Sequence, residues 1–156
     1  MSRVLAHLLR CAVILLGYCV ACLGASAFLH LIALGWAGLE PRDAGASEVV
    51  LGSFLFSVPF VALFVAYFGF IPAAAVILVA EVLGRRDWLF YALGGGIVGA
   101  IFIAFVQSGD PDFALVDTAS MLAIVGAGMV GGIFYWLSAG RWAGAARQPA
   151  AISNGS

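Results

Sequence analysis

Lysine is absent from the chain, and charged residues of any kind make up only 10% of it. So little charge excludes the basic excess that nucleic-acid binding needs, and the net charge of -1 agrees, so no nucleic-acid partner is expected. It also excludes an ordinary soluble domain. Of the 156 residues 64% are hydrophobic and the mean hydropathy is +1.12, more than a single core of this size could hide. Lipid is therefore the main solvent. The missing lysine, set beside arginine and abundant Ala and Gly, fits a high-GC bacterial source and hence an inner membrane.

Cysteine is scarce as well. Cys11, Cys19 and Cys22 all fall in the first apolar run, where thiols behave as small hydrophobes, and no disulfide framework is implied. Cys19 and Cys22 have the CxxC spacing, but apolar surroundings disfavour the thiolate that redox or zinc chemistry requires. No Asp, Glu or Arg lies centrally in an apolar run, where ion-coupled transporters usually carry one. No Ser, Cys or His has the neighbours of a nucleophilic triad, and no metalloenzyme spacing is present. The expectation is a non-enzyme with no catalytic residue, no metal and no cofactor.

Four apolar runs remain. The first, from Cys11 to Trp36, is about 39 Å long as a helix against a hydrocarbon core of about 30 Å. A cleaved signal peptide is its main competitor, because Arg3 and Arg10 precede it and Ala25-Ser26-Ala27 resembles a cleavage site. Phe28, Leu29, Leu31 and Ile32 keep the run apolar beyond that point and favour a span. The second run, 49–80, is too long for one upright span and too short for two. Pro59 and Pro72 each remove a backbone donor and Gly69 loosens the turn before Pro72, so a span over 49–70 is expected, kinked or broken near Pro72. Residues 73–83 would then lie at the interface or continue the helix. The third and fourth runs, 88–106 and 119–137, each match the length that crosses hydrocarbon.

With four spans, Arg3, Arg10, Arg85, Arg86, Arg141 and Arg147 share one side and Arg42 faces the other with Glu40, Asp43, Glu48, Asp110, Asp112 and Asp117. The positive-inside rule places both termini in the cytoplasm. Trp36, Trp88, Trp136 and Trp142 fall near span ends as interfacial anchors, and Tyr91 and Tyr135 fit the same belt.

The third and fourth spans carry small residues four apart. Gly95 with Gly99, and Gly128 with Gly132, form faces on which two backbones can approach. They predict an antiparallel pair, or alternatively an interface with another copy or a larger membrane complex. Elsewhere the bland reading outweighs the sharp one. Cys11, Cys22, Ser26 and His30 form a weakly polar stripe better read as packing than as a site. His30 could bind a metal or haem, yet His7 is too far along the same helix to join it, and an interfacial histidine suffices. Glu81 and Arg85 are spaced to pair, and Arg85 with Arg86 could contact anionic lipid headgroups. Asp110, Asp112 and Asp117 match no calcium loop and read as solvated.

From Gly131-Gly132-Ile133-Phe134-Tyr135-Trp136 to Ser138-Ala139-Gly140-Arg141 the chain resembles small four-helix inner-membrane proteins of high-GC bacteria, with 72–93 a vaguer match. The resemblance implies no activity. The whole reading is an all-α, polytopic membrane helical bundle over 1–147 with a disordered tail over 148–156. Its expected role is an accessory or scaffold subunit packing through the glycine faces. The alternative is a small channel or transporter with a path beside the second span, where Ser53, Ser57 and Tyr67 fall.

Overall fold

The computed structural model describes residues 3–36, 44–109 and 117–142. They form four long helices, α1 (Arg3–Trp36), α2 (Ala44–Leu83), α3 (Trp88–Gly109) and α4 (Thr118–Ser138), followed by a 3-10 turn at Gly140–Trp142. No strand occurs among the described residues. Each helix contains a stretch long and apolar enough to cross a bilayer, and the chain is a multi-pass membrane protein. Asp110 and Asp112, the loop with Arg42 and the tail from 148 to 156 lie outside the described residues.

Successive helices run antiparallel, and the ring closes because α4 returns against α1 as well as α3. Tyr91 lies by Gly132, Gly95 by Gly128 and Gly99 by Ile124, which sets the register of α3 on α4. Gly17 lies by Ala139 and Gly131 by Ala21, which sets α4 on α1. This topology gathers the start of α1, the end of α2, the start of α3 and the end of α4 at one end of the bundle.

Of the kink or break expected near Pro72, the break does not occur. α2 is one unbroken 40-residue helix with Pro59 and Pro72 inside it, and residues 73–83 continue it. A proline removes one donor and displaces one carbonyl, while the apolar residues on both sides lose every backbone bond if the helix opens into hydrocarbon. That second penalty is larger, so the helix persists. Nor does Gly69 mark a break. It sits within the helix facing α1 and α3, where a Cβ would stand 3.7 Å from the Tyr18 hydroxyl and 3.8 Å from Val98 Cγ1. α2 does end at a glycine: Gly84 has φ +62°, and the Arg85 N–H donates to the Ala80 carbonyl at 3.0 Å, closing the helix in a Schellman-type turn.

The interior is built from small side chains. Ala21, Ala25, Ala62, Ala92, Ala123 and Ala127 are buried, whereas Leu55, Phe56, Leu63, Ile71, Leu122 and many other large apolar residues are exposed. This inverts the partition of a soluble protein. Lipid solvates large apolar groups as well as a core would, so burying them gains nothing, and small residues gain close helix contact instead.

Candidate functional site: the slot between the helices and its polar end

The closest packing is between α3 and α4. A Cβ added at Gly95 would stand 2.0 Å from the Gly128 carbonyl oxygen, and one at Gly128 would stand 2.2 Å from that of Gly95. At Gly132 the nearest atom would be the Tyr91 oxygen at 2.0 Å, and at Gly99 that of Ile124 at 2.9 Å. Real Cβ atoms do not come so near, so all four positions require glycine. Both glycine faces are turned toward each other inside one chain.

Side-chain hydrogen bonds join α1 to α2. The Ser26 hydroxyl, fully buried, donates to the Val58 carbonyl at 2.7 Å, and the Tyr18 hydroxyl donates to the Ala66 carbonyl at 2.7 Å. Nearer the chain's start, Arg10 forms an ion pair with Glu81. Both side chains are largely shielded, 29% and 22% exposed. Arg85 pairs with Asp87 at 3.5 Å. The Arg10–Glu81 pair was not visible from spacing, because its partners stand 71 residues apart and Glu81 has a local candidate at Arg85.

Tyr91 and Tyr135 differ from the belt position expected of them. They are buried against one another, ring centroids 5.4 Å apart, beside Ala80 and Ala139. The space for their rings comes from small neighbours: a Cβ at Gly140 would stand 2.9 Å from the Tyr91 ring. Aromatic residues within a turn of Gly or Ala on adjoining spans are the signal that marks them. The Tyr91 hydroxyl donates to the Arg85 carbonyl at 3.3 Å, and Trp136 Nε1 donates to the Arg86 carbonyl at 2.6 Å. Two aromatic side chains thus fasten the α2–α3 turn to the bundle. Trp88 and Trp142 are exposed at the same end, as anchors should be, and Arg141 lies over the Trp142 ring at 5.3 Å.

Above this polar end lies a partly open cavity of about 90 Å³, reached by all four helices. Tyr18, Cys22, Gly69, Val98, Gly128 and Tyr135 are among its walls, and almost all of its surface is carbon. The weakly polar stripe divides: Cys22 and Ser26 face inward, and Cys11 and Cys19 are exposed, so the CxxC cysteines point to different surroundings. His30 Nδ1 bonds the Ser26 carbonyl of its own helix at 2.8 Å, and its ring meets Phe54 edge-on. Among the described residues no group of three His, Cys, Asp or Glu is placed to hold a metal.

The arrangement can exclude water and hold hydrocarbon. Among the described residues the hydroxyls of buried Ser26 and Tyr91 are already bonded to backbone carbonyls, of Val58 and Arg85. Comparisons with protein families, with curated proteins and with solved structures found no match to this chain.

Proposed function

We propose that the protein is a non-enzymatic accessory or scaffold subunit of a bacterial inner membrane, with both termini in the cytoplasm, that meets its partner through the outer face of α2. The observation behind this is the disparity between α2 and its neighbours. α2 buries 6% of its apolar window within its own chain against 33% for α3. Its outer surface bears Phe56, Phe60, Phe64 and Tyr67, a ladder of aromatic side chains with Phe60 and Phe64 packed edge-on at 5.3 Å. Aromatic surfaces of this kind supply contact area at low entropic loss, and a phenol hydroxyl in hydrocarbon gains from a protein partner. The glycine faces, occupied within the chain, leave the partner role to this surface.

Orientation rests on charge. The bundle brings Arg10, Arg85, Arg86 and Arg141 to one end, and the positive-inside rule assigns that end to the cytoplasm. The channel alternative draws less support, because the space beside α2 is walled by carbon and Tyr18 and Ser26 spend their hydroxyls on α2 carbonyls.

Photo-crosslinking residues at Phe60 and Leu63, compared with Leu122 on the outer face of α4, test the reading in native membranes. A protein adduct of defined mass from the α2 positions alone supports it. Lipid adducts alone from all three positions remove it.

A further inference from the structure

The cavity continues along one face of α2 as a slot. Val65, Gly69 and Ala73 lie four residues apart along it, and Ile77 carries it toward the polar end. From Val65 to Ile77 is about 18 Å along a helix axis, a length suited to a chain rather than to a compact molecule. Two of the three tyrosine hydroxyls along it are engaged elsewhere: Tyr18 donates to the Ala66 carbonyl and Tyr91 to the Arg85 carbonyl. A buried water needs several polar partners, so carbon walls of this kind keep the slot dry. Within a bilayer, the occupant that suits it is the hydrocarbon chain of an amphiphile.

Charge selects the headgroup. Tyr91 lines the slot and, with Trp136, holds the turn that carries Arg85 and Arg86, both exposed. At this end Arg10, Arg85, Arg86 and Arg141 stand against Glu81, paired with Arg10, and Asp87, 3.5 Å from Arg85, so the rim is net positive. We propose that the slot holds one acyl chain of an anionic phospholipid whose phosphate is bound at the Arg85–Arg86 turn. Gly69 has its reason here. Glycine weakens a helix interior, but any larger side chain at this position would enter the slot between Tyr18 and Val98. The inference rests on membrane residence and does not depend on the accessory role.

The test uses the full chain reconstituted in vesicles of equal phosphatidylglycerol and phosphatidylcholine, extracted in mild detergent and weighed by native mass spectrometry. The wild type should retain a single phospholipid, phosphatidylglycerol in preference. Gly69→Leu should reduce retention by about tenfold or more, since the filled slot removes most of the buried chain contact. Ala73→Leu blocks the same slot from a second position and reads the outcome if Gly69→Leu does not fold. Arg85→Gln and Arg86→Gln should keep a lipid but lose headgroup preference by roughly fivefold each.

Cys22, buried on the slot wall, gives an independent reading in a Cys11→Ser, Cys19→Ser background. Methyl methanethiosulfonate should modify it more slowly in phosphatidylglycerol vesicles than in lipid-free detergent. A wild type that retains no lipid, or retention unchanged from wild type in both leucine variants, overturns the proposal. A lipid held without headgroup preference overturns the assignment of the phosphate to the arginine turn.

Discussion

The α3–α4 seam and the α1–α2 seam each join two antiparallel helices within lipid, by opposite means. At α3–α4 the helices approach until glycine meets backbone, Gly95 on Gly128 and Gly132 on Tyr91, and no side chain intervenes. At α1–α2 the helices stand far enough apart for side chains to reach across, Ser26 to Val58, Tyr18 to Ala66 and Arg10 to Glu81. Hydrocarbon supplies no hydrophobic drive between helices, so either dispersion at short range or directional polar bonds must hold them. The first is intolerant of volume. The second tolerates volume but depends on particular polar atoms.

The largest break in that contrast should come from Gly95→Leu or Gly128→Leu, which places carbon where a carbonyl oxygen already stands. Each should destabilise the bundle by more than about 3 kcal/mol in denaturant titrations of mixed micelles. An unchanged midpoint would show that α3 and α4 do not meet at these glycines. Next in size, Arg10→Gln and Glu81→Gln, combined in a double-mutant cycle, should show a coupling of about 1 kcal/mol, modest because both groups retain some exposure. Independent additive effects would separate the two residues. Ser26→Ala should cost about 0.6 kcal/mol, typical of one interhelical bond, and Tyr18→Phe about the same.

The smallest effect has the opposite sign. Gly69→Ala meets nothing closer than 3.7 Å and should raise stability by about 0.4 kcal/mol. A loss there comparable to Gly95→Leu would mean that α2 packs as tightly as α3 does, and the contrast would dissolve.

Hydropathy locates all four helices, because lipid demands apolar side chains over a fixed length. It places their ends less well. α1 starts at Arg3, ahead of the apolar run that begins at Cys11, and α2 covers Ala44–Leu83, taking the helical course of the two left open for residues 73–83. The helices continue across Arg10 and past Pro72, whereas a hydropathy reading stops at the charge and a propensity reading stops at the proline. The glycine pairs were legible since spacing of four residues repeats on one helix face. The Arg10–Glu81 pair, the burial of Tyr91 and Tyr135, and the slot were not, because each depends on which helices become neighbours. Spacing within a single helix carries no information about that choice.

Closing the ring has a consequence for how the chain is made. α1 packs more extensively on α4 than on α2, with Gly17 against Ala139, Gly24 against the Phe134 ring and Gly131 against the Ala21 carbonyl. α4 is synthesised roughly a hundred residues later, several seconds at ordinary elongation rates. During that interval α2 is the neighbour that α1 can meet first, with Ser26 and Tyr18 donating to its carbonyls, a hairpin with polar contacts in place before the glycine-rich last span arrives. The polar seam therefore acts first as a temporal clamp, keeping α1 in register for a neighbour that does not yet exist.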